Sequence, residues 1–185
     1  MIYFTSDLHL GHSNIIRHTD RPFANVEEMN DVLIDNINSF VSKNDTLYLL
    51  GDIAFIIDKE MANDLIRKIN GKKIFIRGNH DRHYDESLFE EICDYKEIKY
   101  EKTKFILMHY PLRSWNHMRH GSIQLHGHIH ATEQYNLDNK AKGIYQYDVG
   151  VDANNYYPVS INQIMEFFKD VPLIDFEKDY SELED

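Results

Sequence analysis

Thr46-Leu47-Tyr48-Leu49-Leu50-Gly51-Asp52 is a short apolar run, rich in large side chains, that stops at a glycine and a carboxylate. Its length and composition fit a buried β-strand, and open α/β sheets place their sites just outside the carboxyl ends of such strands. Four other segments repeat the pattern. Ile2-Tyr3-Phe4-Thr5-Ser6 leads into Asp7-Leu8-His9, and Lys73-Ile74-Phe75-Ile76-Arg77 leads into Gly78-Asn79-His80-Asp81. Phe105-Ile106-Leu107-Met108 leads into His109, and Ile123-Gln124-Leu125 leads into His126-Gly127-His128-Ile129-His130. Five strand-like runs ending in oxygen- and nitrogen-bearing side chains describe a metal site spread along a sheet edge.

The intervening segments read as helices that would cover such a sheet. Asn25 with Glu28 three residues on forms a capping box, and Met29, Val32, Leu33, Ile37, Phe40 and Val41 then share one face. Asp58 caps a second helix with Met61, Leu65, Ile66 and Ile69 inward, ended by Asn70-Gly71. A short helical turn starts at Ser13 and is broken by Arg21-Pro22-Phe23. Residues 95–100 and 104–108 read as a hairpin, 145–151 as another strand, and Ser160 with Gln163 as the start of a last amphipathic helix. Residues 1–174 form one domain in this reading, and the acidic, apolar-poor stretch 175–185 is a loosely attached tail.

With 185 residues the chain suits one domain with a substantial core. No apolar run approaches the ~20 residues that span a bilayer, and the first residues lack the pattern of a secretory signal. The single cysteine, Cys93, forms no disulfide framework, so a cytoplasmic location is expected. A formal net charge of −11 disfavours an extended nucleic-acid surface, which needs clustered Lys and Arg. Of the 11 histidines, His18 and His83 read as surface residues and His126 as a structural strand residue, whereas chance does not explain so many at strand ends.

Asp7, Asp52, Asn79 and the strand-end histidines make an oxygen and nitrogen donor set with no thiolate. Such a set suits Mn²⁺, Fe, Zn²⁺ or Ni²⁺. The donors exceed one coordination sphere and are enough for two. Two ions about 3.5–4 Å apart need a carboxylate between them, and Asp52 is the natural bridge. Such a pair activates a bridging water and clamps the oxygens of an in-line displacement, which points to phosphoester hydrolysis. Neither a phosphate-binding Gly-rich loop nor a serine nucleophile elbow is present.

Each motif alone is weak or moderate, since Asp-Leu-His or Gly-Asp can be any turn or helix cap; all five in order are specific. As a set they resemble the calcineurin-like metallophosphoesterases, whose D-x-H, G-D, G-N-H-D/E, H and G-H-x-H pattern reads here as Asp7-Leu8-His9, Gly51-Asp52, Gly78-Asn79-His80-Asp81, His109 and Gly127-His128-Ile129-His130. The resemblance implies an α/β fold of four layers, two mixed β-sheets sandwiched by helices. It implies that Asp7, His9, Asp52 and His130 hold one divalent metal and Asp52, Asn79, His109 and His128 the other. Mn²⁺ is the first choice for activity. His80 is implied at the leaving-group oxygen, with Asp81 orienting or supporting its imidazole.

The substrate expected is a small phosphoester or nucleotide, with phosphodiesters ranked ahead of phosphomonoesters. Asn79, His12, Arg113 and Trp115 are candidate substrate contacts, the last two on the irregular segment 111–121. Gly51-Asp52 continues as Ile53-Ala54-Phe55, unlike the phosphoprotein phosphatase branch of the family, which weakens protein dephosphorylation as a role. The alternative is a fold of this family kept as a protein-interaction scaffold. Such relatives lose part of the site, whereas here every ligand position and His80 are filled.

Overall fold

Side chains alternate along a strand, and strand β2 (Thr46–Leu49) uses both of its faces. Leu47 and Leu49 pack with the helices, while Tyr48 and the following Leu50 pack towards a second sheet. In the computed structural model, which describes residues 1–174, this double burial organises the whole molecule. One sheet has the order β4-β3-β2-β1-β9, with β1 (Ile2–Thr5), β2, β3 (Lys72–Ile76) and β4 (Glu91–Cys93) parallel and β9 (Val159–Ser160) antiparallel. The other has the order β5-β6-β7-β8. Here β5 (Tyr95–Tyr100) and β6 (Thr103–Met108) form the hairpin, and β7 (Ile123–His126) and β8 (Gln146–Asp148) continue in parallel. Both sheets are mixed and flanked by helices.

The core divides accordingly. Between the sheets lie Phe4, Tyr48, Leu50, Ile76, Phe105, Leu107, Ile123 and Leu125. Against the first sheet's other face pack α1 (Ser13–His18), α2 (Val26–Phe40) and α3 (Lys59–Lys68), burying Ile15, Met29, Leu33, Ile37, Ala62, Leu65 and Ile66. The α5 helix (Ile161–Phe167) adds Ile161 and Ile164 to the inter-sheet core. The caps read from the sequence form: Asn25 accepts from the Glu28 amide, Asp58 from the Met61 amide, and Ser160 with Gln163 closes a full capping box. Glu28 itself reaches back to the amide of Ala24, one residue beyond the expected box partner Asn25.

The fourth layer is polar. Helix α4 (Glu133–Ala141) lies along β8, an edge strand whose outward backbone groups would otherwise be unpaired. Asn136 serves both backbone groups of Asp148, and Asn139 donates to the carbonyl of Gln146. Two side-chain amides thus stand in for a missing strand.

Some local expectations need correction. Phe40 and Met61 are 53% and 51% exposed, because they fall at the edges of their helical faces; Ile34 and Ala62 take the buried places. Gly71, at φ 99°, turns the chain into β3, but the cap of α3 is Ile69. The strand expected over 145–151 stops at Asp148, and a 3-10 turn, Val151–Asn154, follows. The tail expected from Asp175 lies outside the described residues.

Candidate metal centre

Because β1, β2 and β3 run parallel, as do β6 and β7, their carboxyl ends carry Asp7, Asp52, Asn79, His109 and the His128–His130 turn to the same edge. Backbone hydrogen bonds lock the loops together there: the amides of Asp7 and His9 donate to the carbonyls of Gly51 and Asp52, and that of Gly127 to His109. An isolated bridge between Ser6 and Gly150 ties the two sheets at this end.

The geometry is forced on the backbone. Asp7, His9, Asp52, His128 and His130 all have left-handed φ, at 56°, 51°, 53°, 73° and 47°. For residues with a Cβ this costs on the order of 1–3 kcal/mol each, and such strain collects at functional sites. Glycines provide the clearance. A Cβ on Gly127 would lie 2.1 Å from Oδ2 of Asp7, and one on Gly51 would lie 2.4 Å from Nδ1 of His109.

Asp7, His9, Asp52 and His109 form a buried floor, each at most 1% exposed. Oδ2 of Asp52 is 3.6 Å from Nε2 of His9 and 3.5 Å from Nε2 of His109. Nε2 of His130 is 3.9 Å from Oδ1 of Asp7, and Nε2 of His109 is 3.0 Å from Oδ1 of Asn79. The rings of His109 and His128 are 5.1 Å apart. Two sets of donor atoms lie close enough to share a metal ion: Asp7, His9 and His130, and Asp7, Asp52 and His109. Asp7 belongs to both of these sets, and Asp52, the bridge expected from the sequence, to one of them.

The candidate ligand side chains are aimed by neighbours the sequence did not single out. His109 donates Nδ1–H to the carbonyl of Leu50 at 2.7 Å, which turns Nε2 towards Asn79 and Asp52. His130 is set by Asp152, whose carboxylate is held in turn by Arg21 at 2.8 and 2.9 Å. Arg21 also donates to the carbonyls of Asp7 and Leu8 and is 4% exposed. The sequence signal for it was only the chain break at Arg21-Pro22; its partner lies 131 residues away. Ser6 donates to Oδ2 of Asp7.

Asp81 does not orient the His80 imidazole. Its oxygens accept from the amides of Gly78, Asp52 and Ile53 and from the Tyr84 hydroxyl, so it staples the β2 and β3 turns together. His80 is half-buried, with its amide donating to Oδ1 of Asp52. Its ring lies 4.3 Å from Phe55 and 5.5 Å from His9. The Leu10–Gly11 loop does curl inward, bringing His12 Nδ1 to 3.3 Å from Nδ1 of His9. His126, at the end of β7, is fully buried against Tyr135 and is structural.

Burial, helped by the positive charge of His130 and Arg21, pushes the His9 imidazole down to about 2, so His9 is neutral and its approach to Asp52 is not an ion pair. Burial likewise lowers His128. Asp7 is raised by burial, against the pull of His109 and His130. Asp148 is raised to about 7 by burial and then by the charge of Asp7. His130 is raised despite burial, because Asp152 and Asp7 favour its charged form. Among the described residues, Oδ1 of Asp7 and Nε2 of His9 are buried with no hydrogen-bond partner. Unpartnered donors of this kind, hard oxygen beside neutral imidazole, fit divalent cations.

Residues 1–179 match the model of the calcineurin-like phosphoesterases. The chain belongs to this family. An uncharacterized protein of Methanocaldococcus jannaschii is 40% identical over 172 residues, 91% of each chain. Gene 66 protein of Mycobacterium phage L5 is 28% identical over 160 residues, 70% of this chain and 77% of the phage protein. The crystal structure of a protein of unknown function from Aquifex aeolicus superposes with a TM-score of 0.72 at 29% identity, over 90% of this chain and 98% of that one.

As a calcineurin-like phosphoesterase, the chain brings every strand-end donor of the family pattern to one sheet edge. Trp115 donates to the carbonyl of Ser122, and Arg113, Trp115 and His117 line a cavity of about 490 Å³ that no candidate ligand touches. No helix among the described residues is long and apolar enough to cross a membrane.

Proposed function

We propose that the chain is a metal-dependent phosphoric ester hydrolase that uses two divalent ions and prefers a small phosphodiester or nucleotide to a phosphomonoester. The observation that supports it is Oδ2 of Asp52 between His9 at 3.6 Å and His109 at 3.5 Å, imidazoles from different sheets facing one carboxylate oxygen. In this reading Asp7, His9, Asp52 and His130 hold one ion, and Asp52, Asn79, His109 and His128 the other. Among Mn²⁺, Fe, Zn²⁺ and Ni²⁺, Mn²⁺ is the first choice for activity. When bound, such ions withdraw charge from the phosphoryl oxygens and furnish a nucleophilic water at neutral pH.

The chain's own residues do the rest. The left-handed turns hold the donors in place before substrate arrives, so little reorganisation is needed during reaction. His80 stands at the leaving oxygen, giving it a proton or offsetting its developing charge. His12 and the exposed Asn79 contact the phosphate. Arg113 and Trp115 contribute only where a substrate is long enough to reach their cavity. The formal charge of −11 fits a small substrate better than a long nucleic acid, and the lone Cys93 fits the cytoplasm.

Hydrolysis of bis-p-nitrophenyl phosphate with Mn²⁺, beside a chelator-treated sample, tests the reading. Hydrolysis should vanish with the chelator and return with Mn²⁺. A fully folded, metal-loaded protein inert with all four metals would favour the interaction scaffold instead.

A further inference from the structure

Past Asp52 the chain leaves the metal centre as Ile53-Ala54-Phe55-Ile56-Ile57. Phe55 packs on the centre, its ring 4.3 Å from His80 and 4.8 Å from His12. The same residue lines a cavity of about 210 Å³ with Ile56, Ile57, Lys59, Arg82 and His83. In a chain of net charge −11, no carboxylate lines this cavity. Lys59 and Arg82 are exposed and, among the described residues, have no ion-pair partner. An adjoining cavity of about 440 Å³ shares Lys59, Arg82 and His83 but adds Glu60, Asp85 and Glu86, so the anion-favouring part is the smaller one.

Ile56 adds an independent sign. It is 68% exposed and sits at φ 62°. A β-branched residue in the left-handed region is a true outlier, and such strain is retained where the surroundings need it. Here it presents an aliphatic side chain to solvent beside unpaired cations. Whole ligand pockets run to roughly 300–1,000 Å³, so a space this size takes one ring with its attached group, and not a complete substrate.

We propose that this cleft is a subsite for the leaving portion of the substrate: a ring seats on Phe55 and Ile56, and a second phosphate meets Lys59 and Arg82. The inference rests on the reading above, in which His80 stands at the leaving oxygen; the group bonded to that oxygen then passes Phe55 into the cleft. The substrate class is therefore a short nucleotide phosphodiester that carries a second phosphate.

The test compares dithymidylate with dithymidylate phosphorylated at its 5′ or its 3′ end, using the intact protein with Mn²⁺ and bis-p-nitrophenyl phosphate as the control. The protein should prefer one phosphorylated form by about tenfold in kcat/KM, the scale of a charge-assisted contact in an open cleft. Arg82→Ala and Lys59→Ala should each reduce that ratio several-fold, mainly through KM, with Arg82→Lys retaining part of it. Equal hydrolysis of the three dinucleotides, failure to cleave any of them while the control is cleaved, or a preference the variants leave intact would overturn the subsite alone. An inert protein, control included, would remove the hydrolase reading and the subsite with it.

Discussion

Nδ1 of His130 lies 2.8 Å from Oδ2 of Asp152. An ionised carboxylate only accepts, so Nδ1 carries the proton and Nε2 is left facing Asp7. Asp152 stays ionised despite its burial, because His130 and the Arg21 guanidinium hold its pKa below the ordinary value. Partners of this kind typically contribute 10–100-fold to metal affinity. Asp152→Asn should weaken binding of one Mn²⁺ by roughly that factor, with activity recovering at high Mn²⁺. An unchanged Mn²⁺ titration would show that the Arg21–Asp152 pair serves only the fold.

His80 is expected to act on the chemical step and not on metal retention. Asn79 already brings a donor from the end of β3, and no His80 ring nitrogen belongs to either close-set donor group. His80→Ala should retain both ions and lower kcat by on the order of 10²–10⁴, more for alkyl or nucleoside leaving groups than for p-nitrophenolate. Loss of an ion, or equal losses on both kinds of ester, would contradict the role.

Asp52→Asn should cost more activity than His9→Ala. Asp52 faces imidazoles from both sheets, and Asn keeps its size while removing the charge that a shared ligand supplies. Parallel Mn²⁺ titrations of the two variants decide it. A larger loss in His9→Ala would make Asp7, common to both donor groups, the bridging ligand.

In metal-free protein, Asp148 sets a pH dependence. Its folded pKa is raised to about 7 by burial and the charge of Asp7, from an ordinary 3.8. A raised carboxyl contributes stability fully present below the unfolded pKa and lost as pH rises through the folded one. The contribution of Asp148 should therefore fall between about pH 4 and pH 7 and level off above, against the opposite contribution of the depressed His9 imidazole. Asp148→Asn, with an oxygen still available to the Gly150 amide, should raise the melting temperature at pH 8, by on the order of 1–3 kcal/mol of stability, and lose that advantage below pH 4. A gain of equal size at both pH values would assign the effect to packing.

The strand ends were legible because each combines a buried apolar run with a donor that has no reason to follow it. The caps at Asn25, Asp58 and Ser160 were legible because they depend on residues three positions apart. What lay hidden is long-range. Arg21 and Asp152 meet across most of the chain, and neither neighbourhood shows the other. Asp81 follows His80 directly, yet its carboxylate is drawn to three backbone amides that only the fold assembles. Phe40 and Met61 obey helical spacing and are still exposed, since periodicity gives a direction but not the width of the surface facing it.

Metal content measured alongside activity tests the proposed dinuclear centre most directly. Apo-protein titrated with Mn²⁺, freed of loose metal and assayed on bis-p-nitrophenyl phosphate, should saturate at two ions per chain, with activity following the second. Full activity with at most one ion per chain would contradict it.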